Sequence, residues 1–248
     1  MKISHQETVV SFELDESIAL SCGSAIKELQ KMLGGRILSI NTPEDAPPPM
    51  PRVILRMKDS VVNLGLDRVQ ITTFPPSHVS DDIEKSSKFT FHRVEQVLNK
   101  LSPSLPEYLW SGVISTLEFP EDPLKNKSGT EAITPVFDTL INIERKGRAL
   151  SSFQLQYGVE EDFHYITYTI SGYERRQFRF DAKQQSGFVR LDPSEHPVYE
   201  CGIKVLLDIN NRPNKSNKDP IKDLETVIEK TKPFADNMAK ELNLEGIL

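Results

Sequence analysis

The chain has 248 residues, a formal net charge of -6 and a pI of about 5.5. This acidic balance argues against a protein dedicated to nucleic acid, because phosphate backbones are bound by basic surfaces. No apolar run approaches the ~20 residues that span a bilayer, and the N-terminal residues lack the uncharged core of a signal peptide. The two cysteines are far apart and lack metal-ligand spacing. We therefore expect a cytoplasmic protein with no membrane span, no cofactor and no metal.

The first elements along the chain are a predicted strand and a predicted helix. Residues 8–14 alternate apolar and polar side chains, which predicts a strand with one buried face. Residues 16–35 repeat apolar side chains at helical spacing, which predicts a helix capped by Ser17 and ended by Gly34 and its neighbour. Cys22 lies on the apolar stripe of that helix, so we expect its thiol to face the core.

A proline-rich connector leads from this helix into several strands. Residues 41–51 contain five prolines among eleven residues, which predicts a stiff surface loop. Residues 52–74 alternate as strands, either with a second turn at 66–68 or as one long bent strand. The first half then closes with an amphipathic helix and a further strand, at 88–101 and 109–119.

The second half restarts with a helix and continues with strands. Residues 130–147 carry an apolar stripe and a proline, Pro135, which we expect in the first turn of a helix. Four alternating segments then predict strands, at 153–159, 163–171, 176–181 and 199–210. In the tail, Asp219 is the predicted cap of a helix that Pro233 breaks, which makes two consecutive helices.

This order of elements predicts an α+β fold built from two related halves. Each half is expected to be an antiparallel sheet covered by helices, and the chain is expected to end in a helical segment. The predicted halves are residues 1–120 and 130–248. One continuous domain is the alternative.

The order of elements resembles an uncharacterised, sporadically distributed family of bacterial proteins of about 250 residues. The resemblance rests on "DSVVNLGLDRVQIT" at 59–72, followed by a helix and a strand, and on "LLDIN" at 206–210, followed by terminal helices. The strand "GVISTLEF" at 112–119 departs from the family pattern, which has Arg-Tyr and Asn there. The resemblance implies two related halves and supplies no established catalytic residues to assign to this chain.

The segment 191–210 is rich in carboxylate, imidazole and thiol groups, but its pattern predicts a surface turn and a strand and not an active site. From position 199 onward, Cys201 shares one face of a strand with branched aliphatic side chains, whereas Glu200 points to the other face. A thiol in such a row is expected to be buried and inert. His196 precedes Pro197 and is expected in a surface turn.

The most suggestive functional segment is 172–190, in which basic and aromatic side chains alternate. Its candidate binding residues are Tyr173, Arg175, Arg176, Arg179, Lys183 and Arg190. In strand register, Arg175 and Arg179 share a face that we expect to be exposed to solvent. Such a surface can hold phosphate while aromatic rings stack on bases. The alternative is an edge strand that is protected by charge against aggregation.

Three functional hypotheses follow from these patterns. The first is a non-enzymatic cytoplasmic binding or interaction protein, with a protein partner and with homo-oligomerisation left open. The second is an enzyme with a pocket between the two halves that carries no recognisable motif. The third, which the acidic balance disfavours, is nucleic-acid contact through residues 172–190.

Overall fold

Nine strands form one antiparallel sheet in the part of the chain that the structure describes. A computed structural model describes residues 1–39, 42–43, 45–121, 128–141, 149–177, 196–212 and 219–241. The strands are β1 Lys2–Phe12, β2 Arg36–Ser39, β3 Val53–Arg56, β4 Ser60–Leu64, β5 Arg68–Thr73, β6 Tyr108–Pro120, β7 Gln154–Glu161, β8 His164–Arg176 and β9 Val198–Asn210. They pair in the order β2-β3-β4-β5-β1-β6-β9-β8-β7.

Seven α-helices accompany these strands in the described ranges. They are α1 Ile18–Ser21, α2 Gly23–Leu33, α3 Ser77–Ser80, α4 Ile83–Leu101, α5 Gly129–Leu140, α6 Pro220–Glu229 and α7 Thr231–Glu241. The predictions of a mixed fold with an antiparallel sheet and of a C-terminal helical segment are therefore confirmed. Of the helices in these described ranges, none is both long enough and apolar enough to cross a membrane.

The chain follows the same route on both sides of the sheet centre, where β1 pairs with β6. From each of these two strands it passes through a helix, α2 or α5, into a meander of strands. The last strand of the meander, β5 or β9, returns to pair with the central strand, and a helix, α4 or α6, follows. Since β1 and β6 are hydrogen-bonded neighbours, the described strands make one continuous sheet and not one sheet for each half.

The longer helices all cover the same face of the sheet. Buried side chains of α2 and α4 pack with β1, β3, β4 and β5 in one hydrophobic cluster, and those of α5 and α7 pack with β6, β8 and β9 in a second. The helix α6 contributes Leu224 to the first cluster and Val227 to the second. Burial of each such aliphatic side chain is worth about 1.5–3 kcal/mol, so the clusters hold the helices on this face. The opposite face, on which none of these five helices packs, is called the open face below.

The predicted strands are largely confirmed, with shifted ends. Strand β1 begins earlier than predicted, and Leu14, expected on its buried face, lies beyond its end and is 59% exposed. The strands β4 and β5 are separate, so the turn at 66–68 is confirmed over the single bent strand. The segments predicted at 163–171 and 176–181 differ most, because β8 continues without interruption to Arg176 and residues 178–181 lie outside the described residues.

The helix predictions need four corrections. The helix predicted at 88–101 begins earlier, at Ile83. The helix predicted for residues 16–35 is divided at Cys22 into α1 and α2, and the Ser17 side chain makes no capping hydrogen bond. Pro135 is inside α5 and not in its first turn, because Ser128 caps that helix through the backbone N–H of Glu131. The break in the tail falls at Lys230, before Pro233, which lies in the first turn of α7.

Asp219 caps α6 as predicted. Its carboxylate accepts hydrogen bonds from the backbone N–H groups of Ile221, at 3.0 Å, and Lys222, at 3.3 Å. Pro220 occupies the first helical position, where its missing N–H is not needed. This cap fixes the start of a helix that lines the candidate site described next.

Candidate functional site

A groove of about 470 Å³ lies between the first half of α4, the end of α6 and the start of α7. It is therefore bounded by the two helices that follow the two meanders of the sheet. Its lining contains an apolar set, Phe91, Ile228 and Pro233, and a polar set, Glu84, Ser87, Lys88, Glu225, Glu229 and Lys232. We call this surface the helical groove.

One carboxylate of the helical groove, that of Glu84, lies near two ammonium groups, from α4 and α7, and the three charges sum to +1. The Glu84 carboxylate lies 2.7 Å from the Lys88 ammonium and 3.7 Å from that of Lys232. The hydrogen bond from Lys88 lowers the pKa of Glu84, and the same bond raises the pKa of Lys88. Both pKa values thus move away from neutrality, so Glu84 stays negative and Lys88 stays positive at pH 7.

The α6 side of the helical groove is acidic and uncompensated. Glu225 and Glu229 are exposed and stand one helical turn apart. Within the described ranges, neither side chain forms an ion pair. On the α4 side, the Ser87 hydroxyl is buried and has no hydrogen-bond partner among the described residues. The groove therefore offers an apolar floor and two negative charges.

Two of the sequence-predicted binding residues, Tyr173 and Arg175, lie on the open face, where Arg175 is ion-paired. Its guanidinium donates to the Glu118 carboxylate at 2.7 Å and also to Glu200. Tyr173 donates its hydroxyl proton to Glu200 at 3.0 Å, and its ring lies 5.3 Å from the Arg175 guanidinium. Lys2 reaches Glu200 at 3.2 Å. We call these five residues, contributed by β1, β6, β8 and β9, the open-face ion cluster.

The electrostatics of the open-face ion cluster favour its charged form. Burial tends to raise the pKa of Glu200, but hydrogen bonds from Lys2 and Tyr173 outweigh it and lower that pKa. Burial and the hydrogen bond to Glu200 raise the pKa of Tyr173, so this hydroxyl keeps its proton. The cluster holds two basic and two acidic side chains, so its formal charge is zero.

The other predicted binding residues are differently placed or fall outside the described ranges. Arg176 pairs with Glu174 at 2.9 Å and donates to the backbone carbonyl of His196 at 2.8 Å. Arg179, Lys183 and Arg190 lie outside the described residues.

The segment 172–176 is paired on one side only among the described strands, as in the edge-strand alternative. It belongs to β8, which pairs with β9 along this stretch, while the pairing with β7 ends at Ser171. At Gly172 a side chain would collide with the backbone of Gly129, so the glycine lets α5 begin directly against the sheet.

A buried polar network at the other end of β6 was missed by sequence reasoning. Tyr108 donates its hydroxyl proton to Asp223 at 2.7 Å, and the Asn211 amide donates to the same carboxyl oxygen at 2.6 Å. The side-chain amide oxygen of Asn211 accepts a hydrogen bond from the backbone N–H of Ser111 at 2.7 Å. We call Tyr108, Ser111, Asn211 and Asp223 the Asp223 network.

Strand β9 ends at Asn210, whose side-chain oxygen accepts a hydrogen bond from the backbone N–H of Arg212 at 3.4 Å. Asn210 and Asn211 are buried, and Asp208 lies within β9, facing the open face. Burial raises the pKa of Asp208. No local pattern could reveal the Asp223 network, since its members come from β6, the end of β9 and α6.

Both cysteines are buried free thiols, as predicted. Burial, with a smaller contribution from Asp15, raises the pKa of Cys22 to about 11, and burial raises the pKa of Cys201 as well. Both thiols are therefore protonated at neutral pH, whereas the thiolate is the reactive form. Within the part of the chain that the structure describes, no group of three or more His, Cys, Asp or Glu side chains is arranged to hold a metal ion.

No model of a known protein family matches this chain, and no curated protein matches it either.

Proposed function

We propose that this protein is a non-enzymatic binding protein and that the helical groove receives a basic amphipathic helix of a protein partner. The observation that carries the proposal is the pairing of an apolar floor with two exposed glutamates, Glu225 and Glu229, that have no ion pair among the described residues.

The shape of the helical groove supports a helical occupant. Amphipathic helices bind by laying their apolar face into an apolar groove between helices. Phe91 and Ile228 approach from α4 and α6, and the exposed Pro233 of α7 extends the apolar floor. The volume of about 470 Å³ is large enough for a few bulky side chains of such a helix.

The charges of the helical groove support a basic partner. Glu84 is already neutralised by Lys88 and Lys232, so it has little to offer a further cation. Glu225 and Glu229 are separated by one turn of α6, and lysine or arginine side chains at the same spacing on a partner helix would lie opposite them.

Binding accounts for the site better than acid/base or thiol catalysis does. A general acid or base works best with a pKa near the working pH. The pKa values of Glu84 and Lys88 are displaced in the opposite direction, and those of the two thiols are raised. An enzyme with a pocket between the halves remains the second hypothesis, without a residue on this surface that supports it.

Nucleic-acid contact through residues 172–190 has less support. Arg175 and Arg176 are both engaged with carboxylates, and breaking those ion pairs would oppose binding to phosphate. The repulsion from an acidic chain acts in the same direction.

The proposal also covers the relationship between the two halves of the chain and the cellular compartment of the protein. We propose that residues 1–120 and 130–248 are related halves, as the shared route from β1 to α4 and from β6 to α6 suggests. The groove then lies where equivalent helices of the two halves meet. Membership of the bacterial family named above is part of the same hypothesis. The two free thiols support a reducing compartment such as the cytoplasm.

The experiment measures peptide binding by fluorescence anisotropy at low and physiological salt. A labelled amphipathic peptide of leucine and lysine is compared with a peptide in which every lysine is replaced by glutamate. We expect the basic peptide to bind at least ~10-fold more tightly, because only it complements Glu225 and Glu229.

Matched variants locate the binding. The double variant Glu225→Lys, Glu229→Lys should weaken binding of the basic peptide about 10-fold or more. Glu16→Lys with Glu107→Lys makes the same change of net charge at two exposed glutamates outside the groove and should leave the affinity within about twofold. If both double variants lose the same amount of affinity, the binding depends on the overall charge of the protein and not on the helical groove. Absence of binding by the basic peptide would contradict the proposal.

A further inference from the structure

Among the described strands, β7 is the last one on its side of the sheet. It pairs with β8 from Gln154↔Ser171 to Glu161↔His164, and no described strand pairs with its other side. All but Leu155 and Tyr157 of its eight residues are exposed. Such an edge is a template for another strand unless it is covered or interrupted.

The hairpin turn shows which backbone groups of β7 point outward. Asp162 and Phe163 form a two-residue turn with positive φ angles of 47° and 65°. Such a turn is closed by a hydrogen-bonded pair, here Glu161 and His164. Since hydrogen-bonded pairs alternate along an antiparallel ladder, the residues directing N–H and C=O groups away from β8 are Gln154, Gln156, Gly158 and Glu160.

We propose that a second copy of this chain adds its own β7 to this edge, antiparallel, with Tyr157 opposite Tyr157 of the second copy. In this register, each residue whose backbone N–H and C=O groups point away from β8 lies opposite a residue of the same kind in the other copy. Gln154 lies opposite Glu160, and Gln156 lies opposite Gly158, each twice because of the two-fold symmetry. The nine-stranded sheet thereby continues across the dimer axis into a sheet of twice that number of strands.

The side chains of β7 fit this register. On the helix-covered face Leu155 meets Val159 of the second copy, and the two Tyr157 rings lie side by side. Val159 is 45% exposed in the single chain, so pairing removes exposed apolar surface from water. Glutamates do not face each other: Glu160 is opposite a glutamine, and Glu161 is opposite Phe153. This absence of like-charge pairs favours a second copy over an acidic strand of another protein.

A register shifted by two residues fits less well. If Gly158 lies opposite Gly158 of the second copy, Glu161 faces Leu155. Only three of the four residues whose backbone groups point away from β8 then find a hydrogen-bonding partner within the strand. Phe163 gives further support to the proposed register. This side chain is 70% exposed at a position where a bulky residue is unfavourable, and the proposed register brings it beside residues 151–152 of the second copy.

The test is sedimentation velocity over a range of protein concentrations. The unmodified chain should show a concentration-dependent dimer. Gln156→Pro removes an outward N–H without touching the pairing with β8, so it should abolish the dimer while the monomer stays folded by circular dichroism.

The register is tested by charge at exposed position 154. Gln154→Glu places like charges opposite Glu160 twice, and Gln154→Lys places opposite charges there. The dimer dissociation constants of these two variants should differ about 10-fold or more, with the lysine variant tighter. Glu160→Lys added to Gln154→Glu should restore the dimer. A chain that is monomeric at the highest concentration reached overturns the proposal, and so does a dimer indifferent to these substitutions. Either result leaves the peptide-binding test of the helical groove unaffected.

Discussion

The same pair of groups, a tyrosine hydroxyl donating to a carboxyl group, occurs in two places with different surroundings. In the Asp223 network, Tyr108 donates to Asp223 at 2.7 Å beneath the helices, and Asp223 is 5% exposed. In the open-face ion cluster, Tyr173 donates to Glu200 at 3.0 Å, and the Glu200 side chain is 24% exposed. The hydrogen bonds are similar, but water can replace a lost partner at only one of the two sites.

This difference shows that burial, more than the chemistry of the pair, sets the cost of losing a partner. A buried donor left without an acceptor loses its hydrogen bond and gains none from water. A donor on the open face can turn to solvent or to a neighbouring carboxylate. We therefore assign the Asp223 network to stability, where it joins α6 to β6 and β9, and we expect the open-face ion cluster to tolerate change.

The largest expected effect is at Asp223. Asp223→Ala should lower the free energy of unfolding by ~2 kcal/mol, because it removes the buried carboxyl oxygen to which the Tyr108 hydroxyl and the Asn211 amide both donate. Among the described residues, Tyr108 then keeps only Ser111 as an acceptor, and Asn211 keeps only the Tyr108 hydroxyl. Glu200→Ala should cost ~1 kcal/mol or less, since Arg175 keeps Glu118 as a partner and solvent reaches the site. Urea denaturation at pH 7 measures both values.

A conservative variant distinguishes the hydrogen bonds from the volume of the Asp223 side chain. Asp223→Asn keeps an acceptor oxygen at the same place, so it should recover a large part of the stability lost in Asp223→Ala. Equal costs for Asp223→Ala and Glu200→Ala would break the comparison between the two sites.

A smaller effect is expected when the tyrosine hydroxyls are removed. Tyr108→Phe should cost about 1.5 kcal/mol, because Asp223 and Asn211 lose a shared partner in a buried place. Tyr173→Phe should cost about 0.5 kcal/mol, as expected for a partly exposed hydrogen bond. Urea denaturation measures both losses of unfolding free energy, and the loss should be larger for Tyr108→Phe. A larger loss for Tyr173→Phe would contradict the conclusion that burial sets the cost.

The smallest expected effect is a pH dependence carried by Glu200. Its pKa in the folded chain is lowered from the ordinary value of 4.5, so its contribution to stability is present above that value. The contribution is lost as the pH falls through the lowered folded pKa. Glu200→Gln should therefore make the decline in unfolding free energy between pH 5 and pH 3 shallower than in the unmodified chain, by about 1 kcal/mol or less. Parallel declines in the two proteins would show that the ion pairs do not stabilise the fold.

Local patterns predicted the elements that depend on local physics. The alternation in 199–210 predicted β9 and the burial of Cys201, because neighbouring side chains of a strand must point to opposite faces. Asp219 was recognised as a cap because its carboxylate satisfies N–H groups only two and three residues away. Pro135 was misplaced because a proline favours the first turn of a helix but tertiary packing can hold it further inside.

The candidate sites could not be predicted in the same way. The run that contains Arg175 and Arg176 reads as basic in sequence, yet Glu118 and Glu200 reach Arg175 from two other strands. No local pattern connects Asn211 with its partner Ser111, which is 100 residues away in the sequence. Sequence distance hides such pairs, since a contact across strands carries no local periodicity.

The sequence by itself determined the class of fold, most strand positions, the start of the C-terminal helices and the inert character of the two thiols. These properties follow from side-chain periodicity, proline geometry and capping, which act over a few residues. Only the tertiary structure decided that the described strands form one sheet centred on β1 and β6 and that α4, α6 and α7 enclose a groove. It also decided the ion pairs: Arg175 has two partners, whereas Glu225 and Glu229 have none among the described residues. The reason is that packing of distant elements selects which side chains meet, and no segment carries that information alone.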